Sequence, residues 1–141
     1  MTNNNIVISW ESVAVPRTTV VFFQEDDGTA PVVVWLAELR RVEPRSFAKC
    51  VVRLERLREL GHELRRPEVE TLRDGIHELR PRLGHVTYRI LYSMHGRVVA
   101  VLLHALVKED VVPEADIDLA AARKNAFSRD PAGHTFRGPM P

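Results

Sequence analysis

Three strand-like runs follow one another in the second half of the chain, and their spacing constrains the fold more than any other feature. Residues 76–82, 86–94 and 98–107 are rich in β-branched and aromatic side chains, which favour strands. The links between the runs are short and contain Gly84 and Gly96. Such links join antiparallel neighbours. Because the third run is almost wholly apolar, it predicts a central strand that other elements cover.

The chain before these runs predicts one strand and two consecutive helices. Residues 19–23 predict the strand. Pro31 suits the first turn of a helix that reaches Arg41, and Thr29 is its candidate cap. Pro44 begins a second helix, whose apolar side chains recur at three and four residues until Gly61 ends it. Residues 62–74 predict a loop, and a last helix is expected between residues 113 and 127.

The predicted order is strand, helix, helix, three antiparallel strands and helix. This order predicts an α+β fold, in which a helical hairpin packs on one face of an antiparallel sheet and a C-terminal helix follows it. We expect the other face of the sheet to stay open. A length of 141 residues favours one domain. We place it at residues 19–128, between an N-terminal extension (1–18) and a C-terminal tail (129–141).

Composition favours a cytoplasmic protein. The single cysteine excludes an internal disulfide, which is typical of a reducing compartment. No apolar run reaches the roughly 18 residues of a membrane span, and the N-terminus lacks the features of a signal peptide. The six histidines fit no metal-ligand spacing. The net charge is only +1, so any interaction with RNA depends on where the arginines lie.

Strand alternation predicts that two of these arginines share a face. Side chains of neighbouring residues in a strand point to opposite faces. If Leu79 and Ile90 face the helices, Arg80 and Arg89 face away from them on adjacent strands, and Arg82 has the same parity as Arg80. Guanidinium groups bind phosphate oxygens through paired hydrogen bonds. The face therefore predicts a phosphate site, although exposed arginines on a sheet are often only solvated, and Glu78 can pair with them.

Cleavage of RNA requires more than cations. The negative charge of the transition state must be stabilised, a base must accept the proton of the 2′-hydroxyl, and an acid must protonate the leaving oxygen. The arginines supply the first of these. His104, Lys108 and Tyr92 are candidates for proton transfer, and the pattern of residues does not choose among them.

Four segments together resemble the RelE/HigB-like toxin family, in particular its phage-derived branch. They are residues 20–28, 72–80, 88–92 (Tyr-Arg-Ile-Leu-Tyr) and 103–108. The resemblance covers about residues 19–128. It implies a microbial-RNase-like fold and an mRNA interferase, a ribosome-dependent endoribonuclease that inhibits translation without metal or cofactor. The implied partners are the ribosome, mRNA and a helix-turn-helix antitoxin, through which alone operator DNA is bound.

The resemblance also assigns residues. The arginine of the family's Tyr-Arg-x-x-Tyr motif falls on Arg89, a basic residue of the preceding strand falls on Arg80, and a basic pair after the last strand falls on Lys108 and Glu109. The expected catalytic residues are Arg89, Arg80, Lys108 and His104, and the expected RNA-binding residues are Arg82 and Arg73. Glu109 and Asp110 stand where the family carries basic residues. The alternative is therefore a degenerate homologue that binds antitoxin or RNA without cleaving.

Overall fold

The computed structural model describes residues 17–107 and 110–141. This part of the chain forms an α+β domain, as the sequence predicts. Most of the expected N-terminal extension, and both Lys108 and Glu109, lie outside the described residues. The elements in chain order are β1 (Thr19–Phe22), α1 (Pro31–Val42), α2 (Pro44–Leu60), a 3₁₀ turn (Gly61–Glu63), β2 (Val69–Thr71), β3 (His77–Leu79), β4 (Arg82–Leu83), β5 (Val86–His95), β6 (Val99–Val107) and α3 (Glu114–Arg129).

The sheet is mostly antiparallel, with the strand order β1-β6-β5-β3-β2, and β4 pairs separately with β5. β1 is the exception, because it lies parallel to β6. The long β5–β6 ladder runs from Tyr88 opposite Val107 to His95 opposite Val99, with a register shift between Leu91 and Tyr92. β6 is thus an interior strand, and the prediction made from its apolar run is confirmed.

The helical hairpin covers one face of the sheet, as predicted. The apolar stripe of α2 and the buried face of α1 pack against every second residue of β3, β5 and β6. Burial of one such side chain contributes about 1.5–3 kcal/mol, so this layer supplies much of the driving force for folding. Its fully buried members include Val32, Leu36, Leu57, Leu79, Ile90 and Leu102.

The opposite face is not left open, so that expectation is wrong. α3 packs across it and buries Ile117, Ala120 and Phe127 against the alternate residues of the central strands, among them Leu91 and Leu103. Both faces of β5 and β6 are apolar, and both must therefore be removed from water.

Three local predictions differ from the structure. The expected loop at 62–74 contains β2, which pairs with β3. The expected strand at 76–82 is interrupted between β3 and β4, where Pro81 has no amide hydrogen for the ladder. Its carbonyl oxygen still accepts a hydrogen bond from the Tyr88 amide at 2.8 Å. Ala30 rather than Thr29 occupies the N-cap of α1, and no side chain caps this helix.

The C-terminal segment that the sequence suggests is a tail returns to β1. The amide of Phe136 donates a hydrogen bond to the carbonyl oxygen of Phe22 at 2.9 Å, and Thr135 forms a bridge with Phe23. The ring of His134 stacks on Phe23 with a centroid distance of 5.1 Å. This segment therefore packs on the sheet, which short-range patterns around its prolines and glycines do not reveal.

Candidate functional site

A cleft of about 690 Å³ lies beside the interruption between β3 and β4. Residues of α2, β2, β3, β4, β5 and the segment before α3 form its walls. Four arginines and three acidic residues are among them, so the cleft is charged but not strongly basic. Its lining residues are Arg53, Pro67, Glu70, Leu72, Glu78, Arg80, Arg82, Thr87, Arg89, Asp110, Val111 and Val112.

Glu78 forms the centre of the cleft and joins two of its arginines. The Nη1 of Arg89 donates to both carboxylate oxygens of Glu78, at 3.1 and 3.0 Å. Arg80 approaches the same carboxylate with its Nε at 3.0 Å and its Nη2 at 2.9 Å. Strand alternation predicts that Arg80 and Arg89 share a face, and the structure confirms it.

The two arginines differ in their access to solvent. The Arg89 side chain is only 9% exposed and its partner Glu78 only 2%, whereas Arg80 is 36% exposed. The Nη2 of Arg89 also donates to the carbonyl oxygen of Asp110 at 2.6 Å. Arg80 is therefore the guanidinium that an anion in the cleft meets directly, while Arg89 lies behind it and fixes the carboxylate.

The rim of the cleft carries charge of both signs. Arg82 is exposed and donates through its Nε to the carbonyl oxygen of Gly84 at 3.0 Å. Glu70 lies on the other side, 2.6 Å from Arg66 and 3.7 Å from Arg80. The hydrogen bond from Arg66 lowers the pKa of Glu70, so this carboxylate stays ionised near neutral pH. An anionic ligand must therefore compete with Glu70 for Arg80.

His104 does not line the cleft. Its Nε2 lies 2.6 Å from a carboxylate oxygen of Asp116, and its Nδ1 lies 3.4 Å from Arg123. Arg123 in turn donates to Glu25 at 2.9 Å and to the carbonyl oxygen of Leu103. The imidazole therefore joins β6 to α3, and the structure does not bring it to the arginines.

Arg73, an expected RNA-binding residue, also lies away from the cleft. It pairs with Asp74 at 2.6 Å, Glu114 at 2.8 Å and Asp118 at 2.6 Å. These hydrogen bonds, the one to Asp118 first, raise the pKa of Arg73. Carboxylates of α3 and of the turn before β3 thus balance the charge of Arg73, and Arg73 links these two segments.

The remaining proton-transfer candidates are Tyr92 and Lys108. Tyr92 packs in the core beneath the helical hairpin, on the face opposite Arg89, and burial raises its pKa to about 12. It is therefore not grouped with the arginines. Lys108 lies outside the described residues.

Sequence reasoning missed the residues that distant elements bring to the cleft. Arg53 comes from α2 and Glu70 from the unpredicted strand β2, so no local pattern links them to β3 or β5. Strand alternation places Glu78 on the same face as Arg80, but the sequence indicates only an ion-pair partner there and not the centre of the cleft. No three His, Cys, Asp or Glu side chains among the described residues are grouped so that they could hold a metal ion.

The fold and the cleft together define a small α+β protein with clustered arginines beside an antiparallel sheet. The sequence profile of the family described as "Phage derived protein Gp49-like (DUF891)" matches residues 37–125, which is more than half of the chain. The chain therefore belongs to this family, a toxin-like family that is associated with toxin–antitoxin systems. The match spans α2 and β2 to β6, and it includes every described residue that lines the cleft.

Among curated proteins, none matches the chain. Membership of a toxin-like family implies an antitoxin as partner. None of the helices in the described ranges is long and apolar enough to cross a membrane.

Proposed function

We propose that the chain is the toxin of a type II toxin–antitoxin pair and that it acts on RNA at the cleft. The finer activity that we propose is that of a RelE/HigB-like mRNA interferase in the cytoplasm, which cleaves mRNA on the ribosome and so inhibits translation and growth. The convergence of Arg80 and Arg89 on Glu78 carries this proposal. Arginine forks are the protein groups best suited to bind the non-bridging oxygens of a phosphodiester.

The proposed reaction is a transesterification within the RNA substrate. The ribose 2′-oxygen attacks the adjacent phosphorus, and the bond from phosphorus to the 5′-oxygen breaks, which leaves a 2′,3′-cyclic phosphate and a 5′-hydroxyl. A base accepts the 2′-hydroxyl proton, and an acid protonates the 5′-oxygen. Arg80 stabilises the negative charge that develops on the non-bridging phosphate oxygens, because it is the more solvent-accessible guanidinium of the pair.

The other expected residues take supporting roles in this proposal. Arg89 keeps Glu78 and Arg80 in place, and Arg82 on the rim binds the RNA backbone. Lys108 remains the candidate for proton transfer, because the structure groups neither His104 nor Tyr92 with the arginines. His104 acts through the position of α3, because both of its ring nitrogens face side chains of that helix. The proposed antitoxin is a helix-turn-helix protein that blocks the toxin and binds operator DNA.

Induced expression of the chain alone in a bacterial host tests the proposal. Growth and the 5′ ends of a translated mRNA are followed together, the latter by primer extension. We expect growth arrest and new 5′ ends at codon-spaced positions. Arg80→Ala abolishes both. The matched control is Arg41→Ala, which removes an exposed arginine of α1 that pairs with Glu38 on the same helix, and it keeps both. Persistent cleavage by soluble Arg80→Ala protein would reject the site.

A non-cleaving RNA-binding homologue is the second candidate, and one observation favours it. Arg89 already donates to Glu78 and to the Asp110 carbonyl oxygen, and three acidic residues line the same cleft. Because these contacts and carboxylates already offset part of the positive charge of its four arginines, such a cleft stabilises the negative charge of a transition state less strongly than four free arginines would. Normal growth and intact mRNA, together with binding of single-stranded RNA that Arg80→Ala weakens in a fluorescence anisotropy titration, would establish this second function.

A further inference from the structure

A second depression lies on the outer surface of α2, next to β4. It has a volume of about 430 Å³ and is lined by Arg45, Ala48, Lys49, Val52 and Leu83. None of these residues lines the arginine cleft. We refer to the depression as the α2–β4 groove, and nothing in the proposed reaction uses it.

The floor of the groove is aliphatic and open to solvent. Val52 is 57% exposed, and Val86, which pairs with Leu83 across the β4–β5 hairpin, is 41% exposed. Single exposed valines are ordinary, but Val52 lies with Ala48 and Leu83 in the lining of the groove, between a helix and a hairpin, and Val86 is the partner of Leu83 in that hairpin. Covering this apolar surface with another apolar surface is favourable.

The rim of the groove carries two cations, Arg45 and Lys49, which lie one turn apart on α2. Within the described ranges, neither makes a hydrogen bond or an ion pair. The arginines farther along the same helix differ, since Arg53 and Arg56 pair with Glu68, and Arg58 pairs with Glu55. Arg45 and Lys49 are therefore cations of α2 that no carboxylate in the described ranges contacts, and they complement a negatively charged partner.

The lining favours a polypeptide over RNA. Proteins that bind unpaired RNA stack its bases on aromatic rings or guanidinium planes. No aromatic side chain lines the groove, and its one guanidinium, that of Arg45, lies on the rim. The aliphatic floor between the cations matches leucine, isoleucine or valine side chains instead. We propose that the α2–β4 groove binds an acidic amphipathic segment of a partner protein. Its aliphatic side chains cover Val52 and Leu83, and its carboxylates pair with Arg45 and Lys49.

Two synthetic helical peptides with the same aliphatic positions test the proposal, one with glutamates and one with lysines beside the aliphatic stripe. Each is titrated into the full chain, and backbone amide shifts are followed by NMR. We expect the acidic peptide to shift the amides of Lys49, Val52 and Leu83, and the basic peptide to bind at least about tenfold more weakly. Equal binding of the two peptides, or no shift at these amides with the acidic peptide, would overturn the proposal.

Charge reversal makes the test independent of folding defects. The double variant Arg45→Glu with Lys49→Glu is expected to bind the basic peptide more tightly than the acidic one. The control variant Arg129→Glu, at the last residue of α3, keeps the original preference. Arg80→Ala also leaves peptide binding unchanged. The test can therefore distinguish failure of the RNA proposal at the cleft from failure of the peptide proposal at the groove. A single-stranded RNA that shifts the same amides and displaces the acidic peptide would overturn the proposal in favour of an RNA-docking surface.

Discussion

The Nη1 of Arg89 donates hydrogen bonds to both carboxylate oxygens of Glu78, and both side chains are withdrawn from solvent. β3 and β5 create this pair, because Glu78 lies opposite Leu91, two residues beyond Arg89 on the same face. A buried ion pair adds little net stability while intact, but removal of one partner leaves an uncompensated buried charge. The consequences of mutation at this site depend on that asymmetry.

Arg89→Ala is expected to lower the free energy of unfolding by about 3 kcal/mol, because Glu78 loses its buried partner and Arg80 compensates only in part. The double variant Glu78→Leu with Arg89→Met removes both charges at similar side-chain volume. It should therefore lower the free energy of unfolding much less than Arg89→Ala does. Urea denaturation of the three proteins measures both values. If the double variant were less stable than Arg89→Ala, the pair would stabilise the fold in its own right. A growth assay on Arg89→Ala alone therefore cannot separate loss of folded protein from loss of activity.

Arg73→Ala is expected to destabilise the protein only slightly while weakening RNA binding by less than about twofold. The physical reason is that three carboxylates already hold the guanidinium between α3 and the turn before β3. Hydrogen exchange of the first turn of α3 and an RNA anisotropy titration measure the two effects. A large loss of RNA binding with unchanged exchange would instead restore Arg73 as an RNA-binding residue.

Gly61→Ala is expected to cost at least about 2 kcal/mol, more than the same change at Gly84. Gly61 ends α2 with φ +53° and ψ −125°, and a Cβ there would overlap the hydroxyl of Thr18. Gly84 also has a positive φ, of +61°, but a Cβ there meets nothing. Thermal unfolding measures the loss of stability in the two variants. Gly61→Ala combines backbone strain with overlap against Thr18, whereas Gly84→Ala has backbone strain alone. Equal losses would show that Thr18 moves aside without cost.

His77 is expected to make stability depend on pH below about 6.5. Burial lowers the pKa of His77 from its ordinary value of 6.5, so the unfolded chain binds the proton more readily than the folded protein. The free energy of unfolding therefore falls as the pH decreases through this window, and it levels off below the folded pKa. Relative to His77→Gln, the wild type should lose stability as the pH falls below about 6.5. Parallel pH profiles of the two proteins would contradict this.

Local patterns were sufficient for most elements of the fold. Prolines at the first helical turns and an apolar repeat at three and four residues located α1 and α2, and glycine-containing links located the β5–β6 hairpin. β2 was missed, because its three residues become a strand only by pairing with β3. The docking of Thr135 and Phe136 on β1 was missed for a similar reason, since over 100 residues separate the partners in sequence.

By itself, the sequence determined that Arg80 and Arg89 share one face of adjacent strands, because the side-chain period of a strand is fixed at two. Only the tertiary structure decided how far each arginine reaches solvent. α3 closes most of that face, and the segment that leads into it brings the Asp110 carbonyl oxygen to Arg89, so Arg89 is buried and Arg80 is left at the opening. Burial and charge compensation arise from elements far apart in the chain, and periodicity within one strand carries no information about them.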